Sequence, residues 1–202
     1  MKKWIYICMA AMLSCSVKAQ VTLGLRAGVS YASLTQIVEE EVTYGGRVGF
    51  SIAGLMDIPL SRRFSLRPEL AVMNLGGAYY IEYAVDNHPR LEIERRKCNY
   101  YAIQVPVNFV YKIPVNDWQF GVYGGPSVSI STQVREKGIL EEEERKFRPF
   151  DIGAGVGLYV QHRKVFFSIY SHTGFLDRQT RKQPNESQLY QNNVTFSFGY
   201  WF

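Results

Sequence analysis

The residues that could carry acid–base or nucleophilic chemistry are few in this 202-residue sequence. Its three histidines are His88, His162 and His172. His172 lies near Ser171 and Asp177, but neighbours along a strand point to opposite faces and cannot form the hydrogen bonds of a catalytic triad. We therefore do not expect an enzyme.

The sequence also offers little to hold a metal ion or an organic cofactor. Cys8 and Cys15 lie in a segment that we expect to be removed, which leaves Cys98, and a single cysteine cannot form an internal disulfide or a thiolate cluster. The glycine-rich run at residues 153–157 is not followed by the helix pattern that a phosphate-binding loop requires. We predict no cofactor and no metal site.

Two charged segments are candidates for contact with a partner. The acidic run at residues 141–144 has carboxylate oxygens that could bind calcium or a basic surface, although basic residues on both sides favour a self-neutralised loop. A basic segment that begins at Arg90 could bind the phosphates of lipid head groups. The interaction candidates in the two segments are Arg95, Arg96, Lys97, Glu141, Glu142, Glu143 and Glu144.

The N-terminal residues have the order of a secretory signal peptide. Lys2 and Lys3 precede an apolar run at residues 4–13, and small residues around Ala19 provide a cleavage site before Gln20. We expect a signal peptide at residues 1–19 and a single domain at residues 20–202. Cleavage removes three lysines from a formal net charge of +5, and no clustered basic face remains, so we predict no nucleic acid partner.

Beyond residue 20, the dominant pattern is an alternation of apolar and polar residues, which is typical of β-strands. No apolar run is long enough for a transmembrane helix, so any membrane span must consist of strands. Eight alternating segments have the length that a tilted strand needs to cross a bilayer. Short connections at residues 59–63, 113–117 and 162–163 alternate with long polar ones at residues 33–43, 78–97, 132–148 and 177–191.

The two faces of these segments differ in size as well as in polarity. One face carries bulky apolar and aromatic residues almost throughout, and the other carries glycine, serine, amides and charges. A soluble ligand carrier buries its bulky apolar residues, whereas a membrane barrel turns them toward lipid. We predict an all-β fold, an eight-stranded antiparallel up-and-down transmembrane β-barrel, with a soluble sandwich or carrier as the alternative.

An eight-stranded barrel is just wide enough for its interior to be filled by side chains. The charged residues of the polar face should therefore meet inside the barrel, where an unpaired charge would be costly. We expect them to form one ionic network that plugs the lumen. Its predicted members are Arg26, Arg47, Arg67, Glu69, Lys112 and Asp151.

The order and spacing of several segments resemble the PorT-like outer-membrane β-barrel family of Bacteroidetes, whose members are often called porin-family proteins. The segments are RPELAVMNLGG, YYAIQVPVNFVYKI, FGVYGGPSVS, FDIGAGVGLYV, FSIYSHTGFLD and NNVTFSFGYWF. The resemblance implies an outer-membrane location. It also implies insertion by the barrel assembly machinery, which would read Tyr200 and Phe202 as a C-terminal signal. Named members serve in type IX secretion, a role that fold resemblance alone does not transfer.

We predict a structural or surface-interaction protein of the bacterial outer membrane, with both mature termini in the periplasm. Its expected partners are outer-membrane lipid, lipopolysaccharide and an envelope or secretion-complex protein. A lipid-modifying barrel enzyme is a weaker alternative, and a narrow porin for small solutes is the main one. The water path of such a porin would follow Gly24, Gly28, Gly49, Gly153, Gly155 and Gly157.

Overall fold

The computed structural model describes residues 21–38, 41–84, 91–132, 135–137, 148–178 and 188–202. The strands in these ranges are β1 (Thr22–Val38), β2 (Glu41–Pro59), β3 (Phe64–Ala84), β4 (Leu91–Val115), β5 (Trp118–Ser131), β6 (Arg135–Lys137), β7 (Phe150–His162), β8 (Val165–Gly174) and β9 (Gln188–Trp201). In the part of the chain that is described, no helix is long and apolar enough to cross a membrane.

Eight of these strands close into one antiparallel barrel. Consecutive long strands pair with each other, and β1 also pairs with β9, which completes the ring. The three-residue β6 pairs with residues 97–99 of β4 and is not a member of the ring. Closure leaves no open sheet edge, which a sheet inside a bilayer could not tolerate. The predicted eight-stranded barrel is confirmed.

The three connections that were predicted to be short lie at one end of the barrel, which we call the turn end. Residues 60–63 join β2 to β3, and two-residue turns join β4 to β5 and β7 to β8. Asn116 and Arg163, the first residues of those two turns, have φ angles of 53° and 55°. Tight hairpin turns use this left-handed region because it matches the twist of the strands. We call the opposite end the hairpin end.

The alternation in the sequence separates the two sides of the barrel wall. In β7, Val156 and Leu158 are 59% and 58% exposed, whereas Gly157 and Tyr159 are buried. The same division holds in the other crossing strands, where bulky apolar side chains point outward. This arrangement suits a barrel surrounded by lipid and is the reverse of a soluble carrier.

The predicted long connections are wrong in extent, because strands occupy much of them. β1 continues to Val38 and β2 already begins at Glu41, so only two residues separate strands where a loop over 33–43 was expected. β3 and β4 likewise pair as far as Ala84 and Leu91. Backbone pairing holds these extensions together, and their sequence lacks the strict alternation that marks a strand.

Candidate functional site in the barrel interior

The interior at the turn end holds a cluster centred on Asp57. Its Oδ1 accepts hydrogen bonds from Ser65 Oγ at 2.8 Å and from Arg67 Nη2 and Nε at 3.2 and 3.3 Å. Its Oδ2 accepts from Lys112 Nζ at 2.5 Å. One carboxylate therefore lies between two cations, which is the pairing that makes buried charges tolerable.

Aromatic rings surround the guanidinium of Arg67, which is only 2% exposed. Its central carbon lies 4.8 Å from the centroid of the Tyr159 ring, 4.9 Å from that of Trp201 and 5.7 Å from that of Tyr123. A guanidinium stacks on such rings because it is planar, delocalised and weakly hydrated. Rings from three strands and one arginine thus fill the cross-section of the lumen at this level.

A second charged layer lies deeper in the barrel, around the pair formed by Arg26 and Glu69. Arg26 Nη2 is 2.7 Å from Glu69 Oε2, and the two side chains are 4% and 2% exposed. Arg26 Nη1 also donates to Ser197 Oγ at 3.1 Å, and Asn108 Nδ2 donates to Glu69 Oε1 at 3.4 Å. The pair is desolvated, and neighbouring polar groups supply part of what water would have given.

Glycines opposite the interior rings make room for them. A Cβ atom at Gly121 would lie 2.1 Å from the Tyr159 ring, and one at Gly157 would lie 2.6 Å from the Tyr123 ring. Each of these glycines is the cross-strand partner of the ring that covers it. The same pairing joins Gly24 to Trp201 and Gly199 to Phe166.

His172 has a serine partner, although not one of those near it in sequence. Its Nε2 is 2.7 Å from the hydroxyl of Ser127, on β5, and both residues are buried in the lumen. An adjoining cavity of about 10 Å³, whose lining includes Asp151 and Gln104, has room for about one water molecule. Among the described residues, the serine and the histidine are thus buried beside a space that holds about one water molecule.

The hairpin end of the lumen is filled by Arg178, which lies beyond β8 and is 2% exposed. Its Nη2 donates to Ser131 Oγ at 2.7 Å, and its guanidinium carbon lies 5.1 Å from the Tyr100 ring centroid. The hydroxyl of Tyr100 in turn donates to Gln191. Tyr100 also belongs to an apolar cluster at this end of the lumen, which the sequence did not predict. Its members are Ala32, Leu34, Ala53, Ala71, Met73, Leu75, Cys98, Tyr100, Ala102 and Leu189.

The expected single ionic network takes a different form in the structure. Arg26, Arg67, Glu69 and Lys112 enter ion pairs, but in two clusters and with Asp57 as an additional acid. Arg47 lies apart and donates to Asn99 and to the backbone carbonyl of Leu75. Asp151 lies apart as well, since its Oδ1 accepts the backbone N–H of Leu176 at 3.1 Å. The register between strands decides which inward charges meet. The alternation along a single strand shows only that a residue points inward, so it cannot predict these pairs.

Several predicted features lie outside the described residues. These are the signal peptide at residues 1–19, the run Glu141 to Glu144, and the side chains of Arg95, Arg96 and Lys97, whose backbone belongs to β4. Tyr200 and Phe202 are described, and both are exposed on the outer face with ring centroids 5.8 Å apart.

Sequence reasoning did not assign four interior residues to their contacts, for different reasons. Asp57 already stood at an inward position of a predicted strand, so that signal was available. Ser127 and His172 also had the right parity, but their strands are separated by β7 in the sheet, so only the closed barrel brings them together. Arg178 follows the last residue of β8, where no alternation indicates a direction.

In the part of the chain that the structure describes, side chains occupy the barrel interior. Charged and aromatic layers, which include Arg67, Glu69 and Tyr170, are buried within the barrel wall. The interior of an eight-stranded barrel is just wide enough for such side chains, so these layers leave little space for a ligand among them.

Comparison with solved structures finds similar chains at low sequence identity. Neisserial surface protein A has a TM-score of 0.50 with 12% identity, over 89% of this chain and 97% of that one. Ail, the attachment invasion locus protein of Yersinia pestis, has a TM-score of 0.47 with 11% identity, over 90% of this chain and 99% of that one. OprG, an outer membrane protein from Pseudomonas aeruginosa, has a TM-score of 0.47 with 8% identity, over 91% of this chain and 97% of that one. At such identities the likeness concerns the fold alone.

A search of curated proteins gave no match to this sequence. The family model described as the outer membrane protein beta-barrel domain matches residues 16–178, well over half of the chain. Together with the closed barrel and its apolar outer face, this match shows that the chain is a bacterial outer-membrane protein that belongs to the outer membrane protein beta-barrel domain family.

Proposed function

We propose that this protein is a plugged, non-conducting outer-membrane barrel whose function is to present its hairpin end to a partner at the cell envelope. The observation that carries the proposal is the packed lumen, in which the Arg26–Glu69 pair and the ring-covered Arg67 are buried. An open pore needs hydrated lining residues along its length. Because these layers occupy the lumen, the outer surface is the part of the molecule that is accessible to a partner.

The hairpin end offers such a surface because β3 and β4 are much longer than a membrane crossing requires. They contain 21 and 25 residues, whereas a tilted strand needs roughly 9–11 to cross the hydrocarbon. Among the β4 side chains that the structure describes, the exposed apolar ones begin at Tyr101, which pairs with Asn74. The hairpin beyond this level therefore projects out of the lipid belt.

The proposed orientation places the turn end in the periplasm and the hairpin end outside the cell. Barrels of this kind have short periplasmic turns and longer external connections. In this orientation β1 begins and β9 ends on the periplasmic side. The basic side chains at Arg95, Arg96 and Lys97 are then candidates for contact with lipopolysaccharide phosphates, since basic groups bind lipid head groups.

An accessory role in protein secretion is a narrower form of the same proposal. It is supported by the resemblance of the strand segments to PorT-like barrels, and a secretion complex would then be the partner of the hairpin end. Any other envelope protein would bind the same surface, and the same experiment would detect it.

Two other functions are less well supported by the interior. The glycine path of a narrow porin is obstructed where Trp201 covers Gly24 and Tyr123 covers Gly157. A barrel enzyme would need its reactive groups to be accessible at a rim. The contact between Ser127 and His172 is instead buried inside the wall.

The experiment that tests the surface role is a shortened β3–β4 hairpin. Tyr79 and Arg96 are cross-strand partners, so residues 80–95 can be replaced by an Asn-Gly turn that preserves the register below it. In intact cells, proximity labelling from this protein should lose its leading envelope partners several-fold. The crossing strands and the plug are unchanged, so the barrel should still assemble.

A matched control shortens the neighbouring hairpin instead. Gln36 and Thr43 are partners in β1 and β2, so residues 37–42 can be replaced in the same way. Labelling that persists here but is lost in the β3–β4 variant supports the proposal. Labelling that is unchanged in both variants would show that the hairpin end recruits no partner.

A further inference from the structure

An apolar groove lies on the outer face of the barrel beside the turn between β7 and β8. Its volume is about 540 Å³, and nearly all of its surface is apolar. The groove opens on the side that faces lipid, because Val165 and Phe198 in its wall are 53% and 68% exposed. Its lining residues are Trp118, Val160, His162, Arg163, Lys164, Val165, Phe166, Phe167 and Phe198.

Two adjacent basic residues form the end of this groove at the turn. Arg163 and Lys164 are exposed, and Lys164 Nζ lies 5.9 Å from the centroid of the Tyr200 ring on the outer face. The ammonium is thus directed along the lipid-facing surface. The adjoining turn contributes one acidic residue, Asp117, so the charge at this place remains positive.

The backbone at Arg163 gives a second, independent indication. Its φ of 55° lies in the left-handed region, where a long side chain is unfavourable and glycine or asparagine is preferred. Asn116 occupies the corresponding position of the β4–β5 turn, with φ of 53°. Arginine therefore stands at a position whose conformation favours a smaller residue, which indicates a use for its charge.

We propose that this groove is a binding site for one anionic phospholipid, with an acyl chain along the apolar wall and the phosphate on Arg163 and Lys164. The occupant is a lipid because the groove opens onto the lipid belt, and an anionic one because its polar end is basic. In the orientation proposed above, the lipid belongs to the periplasmic leaflet. The site does not depend on whether the lumen conducts or on the hairpin end.

Trp118 provides a probe inside the groove. The protein is reconstituted into phosphatidylethanolamine vesicles that contain the same low mole fraction of a lipid with brominated acyl chains, either phosphatidylglycerol or phosphatidylethanolamine. Bromine quenches tryptophan at close range, and a Trp118→Phe variant gives the background from the buried Trp201. Each basic residue near an anionic lipid is worth about fivefold in affinity, so Arg163 and Lys164 together should favour phosphatidylglycerol by about 25-fold. Brominated phosphatidylglycerol should therefore quench Trp118 several-fold more strongly than brominated phosphatidylethanolamine.

Charge variants at the turn end separate a site from a general surface effect. In Arg163→Gln/Lys164→Gln the preference for phosphatidylglycerol should disappear. In Arg62→Gln/Arg63→Gln, which removes the same charge from the β2–β3 turn, it should remain. Equal quenching by both lipids in the unaltered protein, or equal loss in both variants, would overturn the proposal.

Discussion

At the scale of single residues, the interior charges are stable only as pairs. Arg26 and Glu69 are almost completely desolvated, so each is tolerated because the other is present. A buried pair of this kind contributes little net stability compared with apolar residues of similar shape. Removal of one partner is costly, because an unpaired buried charge remains.

This asymmetry gives the first stability prediction. Glu69→Gln should lower the free energy of unfolding by about 3–5 kcal/mol, because the guanidinium of Arg26 loses its counter-charge in the lumen. The double variant Arg26→Met/Glu69→Leu should lie within about 1–2 kcal/mol of the unaltered protein, since neither charge remains. Urea unfolding in phospholipid vesicles, followed by tryptophan fluorescence, measures both values.

Asp117→Asn, in an exposed turn, provides the control for the loss of a carboxylate. It should change the free energy of unfolding by less than about 0.5 kcal/mol. A Glu69→Gln variant as stable as this control would mean that the Arg26–Glu69 pair is hydrated, and hence that the lumen contains water.

The sequence predicted which charged residues point inward but not which of them meet. Parity along each strand assigned Arg67 and Lys112 to the lumen, and the structure has them there. They meet at Asp57 because of the register between three strands, which cannot be deduced from the sequence of any one strand. Arg178 could not be assigned at all, because it follows a strand and its direction is set by its contacts with Ser131 and Tyr100.

At the scale of the strands, the pairing of a glycine with a ring on the neighbouring strand fills the lumen. Tyr159 lies across Gly121, and this position brings its ring to the guanidinium of Arg67. A side chain in place of the glycine would displace the ring. Alternation in the sequence marks such glycines as inward, but it does not show that a ring lies over them.

Gly121→Ala tests this role of the strand glycines. The added Cβ would lie 2.1 Å from the Tyr159 ring, so the ring must move off Arg67. We expect a loss of about 1–3 kcal/mol in the free energy of unfolding. Gly54→Ala is the matched control, because its Cβ would meet only a Leu25 methyl at 4.0 Å. Equal effects in the two variants would show that the ring contact is unimportant.

The extent of the strands was the weakest part of the sequence reading. Within the lipid belt, one solvent lies outside the wall and a packed interior lies inside, so alternation is strict and the crossing segments were predicted. Outside the belt this constraint ends. β3 and β4 continue there through backbone pairing to Ala84 and Leu91, although the sequence of this region predicted a loop.

At the scale of the whole molecule, the barrel is apolar outside, and its interior combines charged, polar and aromatic layers with one apolar cluster. The lipid provides the apolar surroundings that a soluble protein must build from its own core, so the interior is free to hold paired charges. Pairing of β1 with β9 closes the wall, and the layers around Arg67, Glu69 and Arg178 are buried in the lumen. We propose that the outer surface then binds lipid at the turn end and a partner at the hairpin end.

Ion conduction distinguishes a closed lumen from an open one. The protein, with its hairpins intact, is inserted into planar bilayers in molar potassium chloride, and an open outer-membrane porin in the same bilayers verifies that channels would be detected. The buried layers predict no discrete conductance steps at any moderate voltage. Regular ohmic steps of a single size, repeated from one insertion to the next, would contradict the packed interior and the function proposed from it.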